Sequence, residues 1–193
     1  MQKAAVLLIA AALGAGAQPR QKTFWLDAAP KQWNRPGSAI PKARRLFGKD
    51  DQTFLEQCRA SILANANLPE QRAVAEKGWM LIATTRDGRG VTVVSGTQDF
   101  DGMCRPVDYQ DFVFMEGKYA GTTSPRLMSS RGDGASSRIG FPAPEKMSVE
   151  FVRYSERDPL CCPSRISEAS YEIEDREGKP VAILSSVRTR IAN

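Results

Sequence analysis

The sequence predicts an α+β fold: a single domain with an antiparallel β-sheet of hairpins and one or two N-terminal helices, cross-linked by disulfides. From residue 79 onward, β-branched and apolar segments alternate with short turns that contain glycine and acidic residues, a pattern typical of strands joined by hairpins. Successive hairpins without long helical crossovers are predicted, so we expect the strands to pair antiparallel. Helix-forming residues gather before residue 78, and these helices should pack on or beside the sheet.

Two helices are predicted in this N-terminal part. The first spans residues 51–63, because its apolar residues recur at helical spacing and would place Cys58 on the inner face. The second begins with Pro69 at its first position, continues through residues 70–76 and ends before Gly78.

The strand predictions follow from alternation and from turn signals. Residues 79–85 and 91–97 are separated by a turn with an Asp-Gly pair, and residues 111–115 and 118–120 flank Glu116-Gly117. Three further strands are predicted at residues 147–154, 167–173 and 181–191.

Residues 1–17 have the features of an export signal. One basic residue, Lys3, precedes the apolar run 4–13, and small residues lead up to Ala17, as signal-peptide cleavage requires. The run is shorter than the roughly 20 residues that span a bilayer, so no transmembrane segment is expected. We therefore expect a periplasmic or secreted protein after cleavage near Ala17.

Residues 18–48 form a basic, proline-rich arm that precedes the α+β domain at 49–193. The arm carries seven Lys and Arg residues against Asp27 alone. Such a run is usually a solvated extension, although it can also attract anionic lipid or cell-wall polymers. Trp25 and Trp33 should pin the extended arm to the domain. Nucleic acid is not an expected partner in an exported protein.

The four cysteines, together with the absence of histidine, indicate a disulfide framework in an oxidising compartment. Cys161 and Cys162 are adjacent, and a bond between them would strain the intervening peptide. We therefore predict that Cys58 and Cys104 each bond to one member of that pair, and that both bonds stabilise the fold.

A chemically active Cys161-Cys162 pair is the alternative. It would be either a thiol-redox pair or a soft Cu(I) site assisted by Met103, Met115 or Met128. The spacing is Cys-Cys rather than Cys-x-x-Cys, and no alternation of strand and helix surrounds the pair. Structural disulfides are therefore favoured.

Composition limits the catalytic chemistry. With no histidine, the chain excludes Ser-His-Asp and Cys-His sites, and we assign no catalytic residue, cofactor or metal. The densest acidic group comprises Asp99, Asp101, Asp108 and Asp111. It lacks the twelve-residue spacing and terminal glutamate of a calcium loop, so a turn is favoured, while cation binding stays open.

An aromatic set provides the candidate binding residues. Trp25, Trp33, Tyr109 and Tyr119 are candidates for the rim of a ligand groove, if they are exposed. Phe112 and Phe114 share one face of a strand and are predicted to be core.

Five segments stand out as motifs: WNRPG (33–37), DGMCRP (101–106), YQDFVF (109–114), GTTSP (121–125) and DPLCCPS (158–164). Together they resemble the LppP/LprE-type family of bacterial envelope proteins. The resemblance implies an exported, envelope-associated domain of uncharacterised function and assigns no catalytic residues. Unlike the lipoprotein members, this chain has no cysteine just after its apolar run, which puts membrane anchoring in doubt.

Two functions follow from these observations. The favoured one is a non-enzymatic binding or structural module for an envelope component, either a protein or a cell-wall polymer. The alternative is a thiol-redox or copper-binding protein that uses Cys161 and Cys162. The oligomeric state is not predicted.

Overall fold

Antiparallel strands form most of the structure, which is a computed structural model that describes residues 24–28, 32–44, 55–159 and 161–192. The α-helix α1 spans Pro69–Ala75, and short 3-10 turns lie at Trp25–Asp27 and Arg59–Ser61. The strands are β1 (Met80–Arg86), β2 (Val91–Thr97), β3 (Asp99–Phe100), β4 (Pro106–Val107), β5 (Gln110–Met115), β6 (Lys118–Thr122), β7 (Ala135–Ala143), β8 (Lys146–Arg153), β9 (Arg165–Arg176) and β10 (Lys179–Ile191).

The strands form two four-stranded sheets and a two-stranded ribbon. The first sheet has the order β1-β2-β5-β6, the second has the order β10-β9-β8-β7, and β3 pairs with β4. Every pairing is antiparallel, which confirms the predicted hairpins. One sheet was predicted from the sequence, however, and the structure has two that share a core.

The shared core lies between the two sheets. The alternation predicted for residues 147–154 is present in β8, where Met147, Val149 and Phe151 are buried. They pack in one cluster with Val93 and Val113 of the first sheet. Two sheets that cover each other in this way bury one face of each, as in a β-sandwich.

A second core covers the other face of the first sheet. Phe112 and Phe114 of β5 are fully buried there with Trp79 and with Val74 of α1. Strand β5 is therefore covered on both faces, and five of its six residues are buried. This double burial matters because β5 also carries the acidic residue Asp111.

The helix predictions were met in part. Helix α1 begins at Pro69 as predicted, and the Gln71 side chain accepts a hydrogen bond from the Leu68 amide at 2.9 Å. Of the first predicted helix, residues 51–54 lie outside the described residues. The remainder is a short helical segment at 55–57, followed by the Arg59–Ser61 turn. Ile62 is already in extended conformation, and the Leu63 amide donates to the Leu81 carbonyl of β1 at 2.8 Å, so the predicted helix is too long.

Strand β7 was not predicted. It is an edge strand that pairs only with β8, and its residues are exposed or half-buried. Its sequence therefore shows no clear alternation, and it contains Gly140 and Pro142, residues that sheets tolerate mainly at their edges.

The described part of the N-terminal arm contributes to the core. Trp25 is buried and stacks edge-on against Trp33 and Phe151, with ring centroids 5.7 Å apart in each pair. Asp27 forms a bidentate ion pair with Arg153, with contacts of 2.8 and 2.6 Å. The Arg153 hydrogen bond outweighs desolvation and lowers the pKa of Asp27.

Asn34 joins the edges of the two sheets. Its amide donates to the carbonyls of Thr122 on β6 and Ala182 on β10, both at 2.9 Å, and its oxygen accepts from the Thr122 amide at 2.9 Å. Gly121 leaves the space for this side chain. Its φ is +130°, and an added Cβ would meet the Asn34 carboxamide, with Nδ2 only 2.6 Å away. We call these contacts the Asn34 clamp.

Candidate functional site

A cavity of about 340 Å³ lies at one end of the first sheet, and the buried residues Ser95, Asp111 and Ser130 are among those that line it. Its walls come from both sheets, from the β3-β4 ribbon and from the Arg59–Ser61 turn. The lining residues are Ser61, Ile82, Ala83, Ser95, Phe100, Cys104, Pro106, Tyr109, Asp111, Ser130, Ala135 and Ser136. The cavity therefore combines apolar side chains with five hydroxyl groups and one carboxylate.

Asp111 is the charged residue among these lining groups. It follows Gln110 on β5, and because β5 is covered on both faces its side chain is fully buried. One carboxylate oxygen, Oδ2, accepts a hydrogen bond from Thr123 at 3.2 Å. The other oxygen, Oδ1, is buried without a hydrogen-bond partner. Buried polar atoms are usually paired, so this oxygen is an unused acceptor in the cavity wall.

Burial dominates the electrostatics of Asp111. Desolvation raises the pKa of the carboxyl above its usual value, and the nearby hydroxyls of Ser95, Ser136 and Thr123 offset this only in part. A carboxyl with a raised pKa holds its proton to higher pH than an exposed one. The site therefore changes charge in a pH range where most aspartates are already ionised.

Tyr109 is a fixed part of the wall. Its hydroxyl donates to the Gly134 carbonyl at 2.6 Å and accepts from the Ser136 amide at 3.1 Å. Burial, with a contribution from the Asp111 charge, raises the pKa of Tyr109 well above its usual value. The hydroxyl is therefore neutral, and because it both donates and accepts a hydrogen bond it holds the start of β7 against the first sheet.

The predicted aromatic groove does not form. Trp25 and Tyr109 are buried, and Trp33 packs beside Trp25 with its ring N–H bonded to Thr122. Tyr119 packs against Phe114 in the second core, with ring centroids 5.7 Å apart. Of the four, Tyr109 alone lines the cavity. Trp25, Trp33 and Tyr109 pack into the core between the sheets, whereas Tyr119 packs against the second core, and the sequence alone did not show this division.

The four aspartates of the predicted acidic group lie in different surroundings. Asp101 holds the turn before β4: its Oδ1 accepts the amides of Met103 and Arg105 at 2.9 and 3.0 Å, and its Oδ2 pairs with the Arg105 guanidinium. Desolvation opposes these bonds, but together they lower the pKa of Asp101. Asp99 Oδ1 accepts the Phe100 amide, Asp108 lies half-exposed, and Asp111 is in the cavity wall. Among the described residues, no three His, Cys, Asp or Glu side chains are placed to hold a metal ion.

The predicted disulfide pairing is wrong. Cys58 bonds to Cys104, with Cα atoms 5.2 Å apart, and Cys161 bonds to its neighbour Cys162. The Cys58–Cys104 bond is mostly buried and joins the Arg59–Ser61 turn to the cavity wall, whereas Cys161 and Cys162 are exposed in the connection between β8 and β9. The prediction assumed that Cys161 and Cys162 would each meet one of the two distant cysteines. The fold instead brings Cys58 and Cys104 together.

Asp158 organises the connection that carries Cys161 and Cys162. Its carboxylate accepts the Ser155 amide and hydroxyl and the Ser164 amide at 2.6 to 2.8 Å. The Ser155 hydrogen bonds, with those from Ser164, lower the pKa of Asp158. Of the methionines considered for a copper site, Met128 is buried and its sulfur accepts the Trp25 ring N–H at 3.1 Å.

The cavity residues that sequence reasoning missed are serines. Ser95, Ser130 and Ser136 come from three separate segments, and nothing in the sequence links them. One signal was present: Asp111 interrupts the apolar strand Gln110–Met115. A charged residue inside a strand that is buried on both faces marks a polar site in a core.

Replacing Asp111 with asparagine should stabilise the protein at neutral pH. Asparagine keeps an oxygen for Thr123 and removes the buried charge. Because the folded pKa of Asp111 is raised, the parent protein loses stability as pH rises from the unfolded pKa to the folded one. The Asp111→Asn variant has no carboxyl at this position, so it does not lose stability in this way. Its free energy of unfolding should therefore exceed that of the parent protein by a margin that grows between pH 4 and pH 7 to about 1–3 kcal/mol. Urea unfolding at both pH values measures it, with Asp108→Asn as the control outside the cavity. An advantage that is equal at both pH values would contradict the prediction.

Residues 84–176 match the sequence model of the LppP/LprE lipoprotein family. This confirms the resemblance over β2 to β9, which includes Asp111, Tyr109 and the serines at 95, 130 and 136. No curated protein and no solved structure matches the chain significantly. Among the residues that the structure describes, none of the helices has the length and apolar character needed to cross a bilayer.

Proposed function

Given the LppP/LprE match over residues 84–176, which indicates an envelope protein, we propose that the chain is a non-enzymatic binding module. It acts in the periplasm or outside the cell after cleavage near Ala17. Its ligand is a small envelope component, or the end group of a larger protein or cell-wall polymer, and it binds in the cavity beside Asp111.

The unpartnered oxygen of Asp111 is the observation that carries this proposal. A cavity of about 340 Å³ is at the small end of the range for ligand sites, and its walls combine apolar residues with a few polar groups, as binding sites do. Leaving a buried acceptor unpaired costs about 1–3 kcal/mol. A ligand that supplies a hydrogen-bond donor would recover part of that cost.

The state of Tyr109 supports binding rather than catalysis. It contributes a phenol hydroxyl to the cavity wall, but both hydrogen bonds of that hydroxyl go to backbone groups of the wall. With a raised pKa it holds its proton, and it is not free to transfer it to a ligand. The groups around the cavity therefore support recognition of a ligand without turnover.

Blocking the cavity tests the proposal. Ala83 is exposed on β1 and lines the cavity, so Ala83→Trp should narrow the entrance at little cost in stability. Ala64 is also exposed but does not line the cavity, so Ala64→Trp is the matched control. Binding of a panel of neutral, cationic and anionic fragments is measured by ligand-observed NMR.

We expect at least one fragment class to bind the parent protein and the Ala64→Trp variant and to lose at least tenfold in affinity with Ala83→Trp. Equal binding to all three proteins would place the fragments elsewhere and contradict the proposal. If no fragment bound the parent protein, that result would also contradict the proposal.

A further inference from the structure

We propose that the cavity takes a small organic cation, a primary ammonium group attached to an apolar body, with the ammonium nitrogen against Asp111. This inference rests on the proposed function and names the class of its ligand. It is carried by the contacts of the carboxylate and by the distribution of charge around the cavity.

The carboxylate lacks the partner that a buried anion needs. Thr123 donates to Oδ2, and Oδ1 has no partner. Buried carboxylates in proteins are normally paired with a cation, yet none of the described residues that line this cavity is a lysine or arginine. A cationic ligand would supply both the missing charge and the missing donor.

The walls provide for the rest of such a ligand. An ammonium group has three N–H donors, so after Asp111 takes one, two remain for neighbouring acceptors. The hydroxyls of Ser95 and Ser136 lie close enough to Asp111 to affect its pKa, and both line the cavity. Phe100 and Ile82 line the same space and offer apolar contact for the body of the ligand.

The other ionisable groups near the cavity do not compete with a cation. Tyr109, just before β5, and Tyr171 on β9 are the tyrosines whose pKa the charge of Asp111 affects. Burial raises the pKa of both well above the usual value, so both are neutral. The charge of Asp133 helps to raise the pKa of Tyr109, but Asp133 is already paired with Arg126 at 2.7 Å. Asp101, next to the cavity wall, is paired with Arg105 at 2.7 Å.

Asp111 is thus the acid in this group that lacks a cationic partner, and cation binding should depend on its ionisation. Below its folded pKa the carboxyl is neutral and offers no net charge. Above it the carboxylate attracts the cation, and bound cation in turn favours the ionised form. Affinity for a cation should therefore rise with pH through the folded pKa, while affinity for a neutral analogue should not.

Three probes with one apolar body test the inference: benzylammonium, benzyl alcohol and benzoate. Affinities are measured by NMR titration between pH 4 and pH 8 on the full mature chain. We expect benzylammonium to bind at least tenfold more tightly than benzyl alcohol at pH 7. The preference should shrink toward pH 4, and benzoate should bind most weakly.

Matched variants locate the effect. Asp111→Asn should remove the preference for benzylammonium over benzyl alcohol, whereas Asp108→Asn should leave it within twofold. Ala83→Trp should weaken all binding in the cavity. If Asp111→Asn does not fold, the pH profile of the parent protein decides the result on its own.

The outcomes separate the inference from the function on which it rests. If benzyl alcohol or benzoate binds as tightly as benzylammonium and Ala83→Trp abolishes that binding, the cavity is a ligand site but not a cation site, and the inference alone is overturned. If none of the three binds, the inference is also overturned, and the wider fragment panel then decides the proposed function.

Discussion

Replacing Gly121 with alanine is expected to lower the free energy of unfolding by about 4 kcal/mol or more, the largest effect of any single substitution proposed for this chain. An added Cβ at this position would overlap the Asn34 carboxamide, with Nδ2 only 2.6 Å away. Asn34 would then have to leave the clamp, and its three hydrogen bonds to Thr122 and Ala182 would be lost. Each buried group left unpaired costs about 1–3 kcal/mol.

A second glycine separates the clash from the backbone strain. Gly88 also has positive φ, +72°, but nothing lies within 4 Å of the position that a Cβ would take. Gly88→Ala should therefore cost only about 1 kcal/mol, from the left-handed conformation. Guanidinium unfolding of the two variants gives the comparison. If Gly121→Ala costs no more than Gly88→Ala, the clamp does not hold the sheets together.

Removing the Cys58–Cys104 bond with the double variant Cys58→Ser, Cys104→Ser is expected to cost about 4 kcal/mol. The two cysteines are 46 residues apart in sequence, and a loop of this length gives about 4 kcal/mol in the chain-entropy account. For a chain of this size, that corresponds to a fall in Tm of about 8–16 °C. The loss should also loosen the cavity wall, since Cys104 lines it.

The matched control is the double variant Cys161→Ser, Cys162→Ser. This bond joins neighbouring residues in an exposed connection and constrains almost no chain, so its removal should shift Tm by only a few degrees. The two double variants are compared by differential scanning calorimetry, with peptide mapping of the parent protein under non-reducing conditions. Equal losses of stability, or a mapped bond between Cys58 and Cys161 or Cys162, would contradict the pairing described here.

The strands were predictable because their signals are local. Alternation in β8 and the turn at Glu116-Gly117 lie within a few residues of sequence, and both hold in the structure. Glu116 and Gly117 each adopt positive φ, 50° and 75°, as a two-residue hairpin turn requires. Strand β7 carries no such signal because one of its edges is unpaired and neither face is fully covered.

The candidate site was not predictable to the same degree because it depends on which segments meet. Ser95 lies opposite Asp111 through the pairing of β2 with β5, whereas Ser136 of β7 reaches the cavity only because the two sheets pack together, and Ser61 comes from the Arg59–Ser61 turn. The disulfide pairing failed for the same reason, since local strain at Cys161-Cys162 says nothing about the distance between Cys58 and Cys104. Asp111 itself was visible, as part of an acidic group, but its burial depends on covering both faces of β5.

The Asn34 clamp also sets an order of events during folding. Its partners Thr122 and Ala182 lie 88 and 148 residues further along the chain. During synthesis from the N-terminus, Asn34 cannot form its hydrogen bonds to both sheet edges until β10 has been made. Contacts of this sequence separation make folding slow. The chain should therefore stay open until almost its whole length has emerged, and a truncation before β10 should leave the N-terminal arm without its place in the core.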